Sequence, residues 1–237
     1  MHTDADHNRS VLTLVGEEAP RGVARSAVER LDLGSHQGAH PRFGVVDVVP
    51  FVPLAGATLA DAEAARDRFL AWAAQELALP GFAYGRHRTL PEVRRRAFRD
   101  LAPDAGPAAP HPSAGAVAVG ARGLLVAWNL WLAEPDVDRA RAVAARVRGP
   151  HLRALGLAVG ARVQVSMNLI APLALGPAEA WDLVAALVPV AGAELVGLAP
   201  TAVLDRTDPD RWAQLDLAPD RTIEHRLARA SGAGPAS

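Results

Sequence analysis

The chain has 237 residues, of which 50% are hydrophobic and 22% are charged, a composition typical of a folded globular protein rather than a disordered one. Its 25 lysines and arginines nearly balance its 26 aspartates and glutamates, so no overall charge would attract nucleic acid or an anionic membrane. The absence of cysteine excludes disulfides, thiolate metal sites and a cysteine nucleophile.

The N-terminus, MHTDADHNRS, is polar and lacks the apolar core of a signal peptide, and no later apolar run is long enough to span a bilayer. Together with the lack of cysteine, these features predict a soluble, cytoplasmic protein. The eight histidines form no spaced cluster with carboxylates, so we expect no metal site.

The first half of the chain alternates between strand-like and helix-like patterns. The predicted elements are a strand over 10–15, a helix over 21–31, a strand over 45–49, a helix over 58–79, a strand over 82–84 and a helix from residue 91. Thr58 followed by Asp61 resembles a capping box, which makes that helix the most secure. The arginines at 94–96 are typical of a solvated helix face rather than an anion site.

The second half shows a similar alternation. Its predicted elements are a strand over 124–132, a helix from 135 to 149, a strand over 161–169, a helix over 177–188 and a strand over 194–196. The alternation in both halves predicts the α/β class, with two α/β subdomains, each a mixed sheet with helices packed on it, and a ligand groove between them. Four polar residues on strand faces could line this groove, although a solvated sheet face is the commoner explanation. They are Asn129, Gln164, Ser166 and Asn168.

The stretch HQGAHPRFGVVDVVPFVP, residues 36–53, carries the most chemical information. The proline after His40 favours an extended backbone there, which places the imidazole and Arg42 at the mouth of a predicted buried strand. Asp47 lies within that strand and needs a partner, for which His40, His36 and Arg42 are candidates. A single histidine is more often structural than catalytic, so this pattern alone defines no reaction.

The segment PDAGPAAPHPSAG, residues 103–115, is dense in proline, glycine and alanine. Its composition favours a linker between the two halves. An ordered binding loop, whose backbone N–H groups face a ligand, is the alternative.

Six segments together carry a family resemblance. They are DHNRSVLTLVG at 6–16, HQGAHPRFGVVDVVPFVP at 36–53, PDAGPAAPHPSAGAVAVGAR at 103–122, VQVSMNLIAP at 163–172, ELVGLAP at 194–200 and RTIEHRL at 221–227. In this order they resemble the formiminotransferase domain of glutamate formiminotransferase, a domain that also occurs fused to a cyclodeaminase. The resemblance implies an N-terminal subdomain over residues 1–122 and a C-terminal subdomain over 123–237.

The resemblance also implies a folate-dependent transferase of histidine degradation and one-carbon metabolism. Such an enzyme moves a formimino group between N5 of tetrahydrofolate, which acts as the co-substrate 5-formiminotetrahydrofolate, and L-glutamate. The expected partners are therefore these small-molecule substrates, and neither nucleic acid nor a membrane.

The family's motifs transfer roles to individual residues. The catalytic histidine of the HPR motif corresponds to His40, which could take a proton from the amine of glutamate and give one to N5 of the folate. The family's folate-binding segment replaces the linker interpretation and comprises Gly106, Pro107, Ala108, Ala109, Pro110, His111, Pro112, Ser113, Ala114 and Gly115. Arg42 and Arg9 could hold substrate carboxylates or form structural ion pairs. Asp47 could orient the imidazole or balance a buried arginine.

Three departures from the family pattern leave other functions open. The chain begins after the family's N-terminal strand and helix, around a Val-Pro-Asn-Phe-Ser-Glu motif, and the resulting unpaired edge could bind a second copy in a homodimer. Ala39 replaces a glutamate, and Ala114 replaces a tryptophan that could stack on the pterin. The alternatives to an active formiminotransferase are a folate-binding relative with impaired catalysis and an enzyme of formyl transfer or hydrolysis on the same cofactor.

Overall fold

A computed structural model describes residues 1–5, 8–38 and 42–230. Its contacts divide the chain into two compact units. We call Leu14–Gly123 the N-unit, and Met1–Thr13 together with Leu124–Ser237 the C-unit. Met1–Thr13 thus pack with the second half of the chain, whereas the family resemblance assigns them to the first subdomain. The division into subdomains at residues 122 and 123, and the ligand groove between them, stay predictions.

Strands and helices alternate along the described residues. The strands are β1 (His2–Asp4), β2 (Arg9–Val11), β3 (Val48–Phe51), β4 (Gly81–Tyr84), β5 (Val117–Ala121), β6 (Val126–Leu132), β7 (Leu152–Val159), β8 (Arg162–Leu169) and β9 (Val190–Val196). The α-helices are α1 (Glu18–Arg30), α2 (Leu59–Leu77), α3 (Leu90–Arg96), α4 (Val137–Val147), α5 (Pro177–Ala185), α6 (Thr201–Asp205) and α7 (Ile223–Ala230). None of these helices has the length and apolarity needed to cross a membrane.

The N-unit contains a parallel sheet with the strand order β3-β5-β4. Helix α2 buries Phe69 on the face that carries Val117 and Val119 of the central strand β5. Helix α3 buries Val93 on the opposite face, against Ala118. Because the three strands are parallel, their carboxyl ends meet at one edge of the sheet, where α/β proteins commonly bind ligands.

Strand β3 begins three residues later than the prediction of a strand over 45–49. Gly44 forms an antiparallel bridge with Gly115, and the N–H of Val45 donates to the carbonyl of Ala114 at 3.0 Å, so the chain must turn before it can enter the parallel ladder. Pro50, which has no N–H, is tolerated within β3 because this strand lies at the sheet edge.

The C-unit contains an antiparallel sheet with the order β7-β8-β6-β9, and β1 and β2 form a separate antiparallel pair. Trp128, Leu130 and Val165 are completely buried in the core on the face covered by α4 and α5. The prediction missed β7, although Gly160 and Ala161 connect it to β8 as a two-residue hairpin. Exposed Leu155 interrupts the apolar alternation of β7 and hides it in the sequence.

The structure confirms the α/β class with two α/β units. The sequence analysis predicted a mixed sheet in each subdomain, whereas of the two larger described sheets one is purely parallel and the other purely antiparallel. The predicted α2 is confirmed together with its capping box between Thr58 and Asp61. The helix expected from residue 135 begins at Val137, because the side chain of Asp136 caps it.

The linker interpretation of residues 103–115 is wrong, since this segment packs against the N-unit sheet. The carboxylate of Asp104 accepts the N–H of Ala83 at 2.7 Å and binds Arg88 at 2.6 Å. The N–H of Gly81 donates to the carbonyl of Ala105 at 2.9 Å. The segment therefore covers the free edge of β4, which would otherwise expose unpaired backbone groups.

Candidate functional site

Asp47 is the centre of a charge cluster in the N-unit. One carboxylate oxygen, Oδ1, accepts the N–H of Phe43 at 2.8 Å, and Oδ2 binds Nη2 of Arg94 at 2.6 Å. Nη1 of Arg42 lies 3.5 Å from Oδ2, and the Arg42 side chain is only 8% exposed. Two arginines thus compensate the Asp47 carboxylate, as a largely buried charge requires.

Arg94 is a member of this cluster that sequence reasoning missed. We predicted a solvated face for the arginines of α3, yet the Arg94 side chain is 25% exposed and bonded to Asp47. The signal for this contact was the unexplained aspartate in a predicted buried strand, which needed a cation. The sequence could not show which of the arginines would supply it.

The structure describes only some of the other predicted site residues. His40 and Ala39 lie outside the described residues, so a contact between Asp47 and the imidazole stays a prediction. Arg42 forms the ion pair described above. Arg9 begins β2 in the C-unit, where it lies opposite Asp4 in the antiparallel pair. The proposed binding roles of both arginines stay predictions.

The predicted folate-binding segment, residues 106–115, is an ordered loop of the N-unit. Residues 106–110 are exposed, whereas Ala114 is completely buried. The N–H of Leu33 donates to the carbonyl of Ser113 at 2.7 Å, which ties the end of the loop to the residues after α1. The first half of the loop, residues 106–110, is therefore exposed, and the second half, residues 111–115, is anchored to the N-unit.

A turn around His111 holds the anchored half of this loop. Nδ1 of His111 accepts the N–H groups of Ser113 at 3.3 Å and Ala114 at 3.0 Å. The backbone groups of His111 and Gly115 exchange hydrogen bonds at 2.8 and 3.0 Å. Gly115 has a φ of +71°, and a Cβ there would lie 2.6 Å from the carbonyl of Phe43, so only glycine fits. The tight turn fixes where the exposed half ends.

Two further residues meet at the carboxyl edge of the N-unit sheet, and the sequence analysis gave neither a role. Tyr84 is the last residue of β4, and Arg122 directly follows β5. Burial raises the pKa of the Tyr84 hydroxyl, and the nearby Arg122 guanidinium partly opposes that shift. Burial also lowers the pKa of Arg122. A lone tyrosine and an arginine at the ends of neighbouring strands were visible in the sequence, but their proximity was not.

A cavity of about 470 Å³ lies beside the end of β4 in the N-unit. Tyr84 and Gly85 line it, together with the ion pair of Arg88 and Asp104. Ala105 also contributes to its wall, so the cavity directly adjoins the start of the predicted folate-binding loop.

The polar residues predicted to line a groove lie on the C-unit sheet in different environments. Asn129 is 4% exposed and donates to Glu194 at 3.1 Å. Gln164 is 1% exposed, and its Oε1 has no partner among the described residues. Ser166 is partly buried and Asn168 is exposed. Of these four residues, only Asn168 is exposed as expected for a solvated sheet face.

The described residues contain no group of three or more histidine, aspartate or glutamate side chains that could hold a metal ion.

Comparison with known proteins identifies the family. A sequence profile of the formiminotransferase domain, N-terminal subdomain, matches residues 1–122. The chain belongs to the formiminotransferase family. The resemblance inferred from the six segments is thus confirmed.

Relatives within the formiminotransferase family extend the similarity beyond the first subdomain. A glutamate formimidoyltransferase of Streptococcus pyogenes serotype M1 is 35% identical over 85% of this chain and 78% of its own length. A glutamate formimidoyltransferase of Thermoplasma acidophilum is 28% identical over 85% of the chain and 77% of its own length. The formimidoyltransferase-cyclodeaminase of Sus scrofa is 32% identical over 83% of the chain but only 43% of its own length, so the chain spans less than half of that relative.

The resemblance implies a tryptophan at the position where this chain has Ala114. In the structure this position is completely buried in a cluster with Ala24, Phe69 and Val117. The Ala114 methyl group thus contributes to the core of the N-unit. The exposed residues of the loop, 106–110 and Pro112, are the ones that a ligand could contact directly.

Proposed function

We propose that this member of the formiminotransferase family is a folate-dependent transferase that moves a formimino group between N5 of tetrahydrofolate and L-glutamate. The observation that carries this proposal is the 35% identity to a glutamate formimidoyltransferase over 85% of the chain and 78% of that relative. The reaction belongs to histidine degradation and one-carbon metabolism.

The proposed substrates are L-glutamate and 5-formiminotetrahydrofolate. Both are anionic and carry carboxylates, which agrees with the presence of Arg42, Arg94 and Arg122 in the N-unit. Residues 106–115 are proposed to bind the folate, with exposed residues 106–110 available for contact. We propose a cytoplasmic location, and a homodimer stays a prediction.

His40 is the proposed catalyst of proton transfer. The amine nitrogen of glutamate forms a bond to the formimino carbon, and the bond between that carbon and N5 of the folate breaks. The amine loses a proton in the first step and N5 gains one in the second, so no net proton is consumed. A single imidazole can accept the first proton and donate the second, because it titrates near neutral pH.

The test combines the purified protein with 5-formiminotetrahydrofolate and L-glutamate and measures formiminoglutamate. We expect turnover by the wild type and a loss of about 10²–10⁴-fold in kcat for His40→Ala, the usual contribution of acid–base catalysis. Folate binding should change much less. His151→Ala, at an exposed position in the C-unit, is the matched control and should retain wild-type activity.

Three outcomes would change the proposal. Equal turnover of His40→Ala and wild type would remove His40 from the chemistry. Folate binding without turnover in the wild type would favour a catalytically impaired relative. Release of a formyl group, or its transfer in place of the formimino group, would favour the other one-carbon reactions.

A further inference from the structure

The geometry points to Arg122, supported by Tyr84, as a binding residue for a substrate carboxylate at the carboxyl edge of the N-unit sheet. The inference rests on the proposed function, since that function supplies the two candidate carboxylate ligands. These are L-glutamate itself and the glutamate tail of the folate.

The backbone of Arg122 is held at the centre of this edge. Its N–H donates to the carbonyl of Phe51, the last residue of β3, at 3.1 Å. A Cβ on Gly85 would lie 2.6 Å from the carbonyl of Ala121, so the exit of β4 approaches the end of β5 as closely as glycine allows. The ends of all three parallel strands thus fix the position of Arg122, and a binding residue needs such a rigid support.

Gly120 brings the hydroxyl of Tyr84 to the same place. A Cβ on Gly120 would lie 2.1 Å from Cζ of Tyr84, the carbon that carries the hydroxyl, so the ring rests directly on the strand where Gly120 lacks a side chain. The Tyr84 side chain is buried, and its hydroxyl interacts with the Arg122 guanidinium. Because a tyrosine hydroxyl can accept one hydrogen bond and donate another, it can orient the guanidinium and still bind an oxygen of the ligand.

The charge of Arg122 is not compensated by the residues that the structure describes. Its Nη1 donates to the carbonyl of Gly123 at 2.9 Å, and its side chain interacts with Tyr84, but no described carboxylate lies within ion-pair distance. Even partial burial of a cation without an anion is unfavourable, so such a group is a candidate for an anionic ligand.

The neighbouring charges also favour an anion. The Tyr84 hydroxyl lies within electrostatic range of Arg122, Arg94 and Asp47, and Asp47 is already bound by Arg42 and Arg94. Asp47 thus already has two cationic partners, which leaves Arg122 as the cation of this group without a described carboxylate within ion-pair distance. A carboxylate of glutamate or of the folate tail would supply the missing anion, and the planar guanidinium of Arg122 suits a bidentate carboxylate contact.

The test compares Arg122→Gln with Arg95→Gln, which removes the same charge from an exposed position in α3 of the same unit. We would measure KM for L-glutamate, KM for 5-formiminotetrahydrofolate, and equilibrium binding of L-glutamate and of tetrahydrofolate. Loss of a charge-assisted contact should weaken one ligand by about 10- to 100-fold in Arg122→Gln, with no such change in Arg95→Gln. Tyr84→Phe, which keeps the ring on Gly120, should weaken the same ligand to a smaller extent.

A folate analogue without the glutamate tail identifies the source of the carboxylate. If Arg122 binds the folate tail, wild type and Arg122→Gln should bind this analogue equally well. If it binds substrate glutamate, only KM and binding for glutamate should change. Circular dichroism and thermal unfolding of both variants would show that the fold is retained, and Arg122→Lys keeps the charge should the glutamine variant unfold.

The binding measurements separate this inference from the proposed reaction. A wild type that binds glutamate or tetrahydrofolate without turnover, and loses that binding in Arg122→Gln, would contradict the reaction and support the inference. Unchanged binding of both ligands in Arg122→Gln and Arg122→Lys would overturn the inference, even if the wild type turned over normally. A wild type that binds neither ligand would overturn both.

Discussion

Replacement of Asp47 by asparagine tests the charge cluster of the N-unit directly. Asparagine has nearly the same shape and keeps an oxygen for the N–H of Phe43, but it removes the negative charge beside Arg94 and Arg42. The change should therefore act mainly on the two arginines. Because both arginines would remain while the Asp47 charge is removed, the variant isolates the electrostatic contribution of that carboxylate.

The expected magnitude follows from burial and distance. Removal of one partner from a buried ion pair typically costs about 3–5 kcal/mol, and one hydrogen bond to a charged group contributes about 1.5–3 kcal/mol. The side chains of Asp47 and Arg94 retain 16% and 25% exposure, which lets water screen part of the interaction. We therefore expect a loss of about 2–4 kcal/mol in the free energy of unfolding.

Asp100→Asn is the matched control for this prediction. Asp100 binds Arg96 at 2.9 Å across one turn, but both side chains are well exposed, at 64% and 49%. Such a surface pair contributes only about 0.3–0.5 kcal/mol. The two substitutions change the same chemical group opposite the same type of partner and differ in burial.

The assay has to resolve the two units, because they need not unfold together. Urea titration measures the free energy of unfolding. Trp72 is the single tryptophan of the N-unit, Leu14–Gly123, so it is the intrinsic fluorescent probe of that unit. Hydrogen exchange of peptides covering residues 42–51 and 90–101 would localise the effect. The double variant Asp47→Asn/Arg94→Gln should be less destabilised than the sum of its single changes, by about 0.5–3 kcal/mol. If Asp47→Asn lost no more stability than Asp100→Asn, the charge cluster would not stabilise the N-unit.

Three further predictions concern other parts of the fold. Thr58→Ala removes the capping box of α2 and should lower the free energy of unfolding by about 1 kcal/mol, measured by urea titration. Gly156→Ala would place a Cβ 2.3 Å from the backbone nitrogen of Arg141 in α4, so hydrogen exchange should show a destabilised C-unit, by about 1–3 kcal/mol, and an unaffected α4 would contradict this. A hydrogen bond from Arg68 lowers the pKa of Glu17 below its ordinary 4.5. The stability that this pair contributes should be present above pH 4.5 and should decline as the pH falls through the lowered pKa. In acid unfolding curves, Glu17→Gln should show a smaller decline than the wild type.

Helix α2 shows which features were predictable from sequence. Its start depends on Thr58 and Asp61, which are three positions apart, and its apolar stripe follows the period of the helix. Both signals are local, so they can be recognised in the sequence without knowledge of the fold. The hairpin of β7 and β8 carried a local signal too, in Gly160, but the exposed Leu155 obscured the alternation of β7.

The segment before β5 shows where composition misleads. Its prolines and glycines are typical of a linker, yet the glycines serve tight packing, since a Cβ on Gly106 would lie 2.9 Å from the carbonyl of Leu79. Composition indicates how freely the backbone of a segment moves in the unfolded chain. It does not indicate which neighbouring residues restrict that backbone in the folded protein. The family resemblance corrected this interpretation because it compares whole segments in order.

The amino-acid sequence by itself determined the α/β class, the family and the helices with their caps, because these depend on near neighbours or on ordered motifs. Only the tertiary structure decided that Arg94 compensates Asp47 from 47 positions away, that Ala114 is buried, and that Tyr84 meets Arg122. The physical reason is the strand order β3-β5-β4, which places the last strand in sequence between the first two and brings distant side chains to one sheet edge. Hydrophobic periodicity specifies which face of a strand is buried, but it does not specify which strand lies beside it.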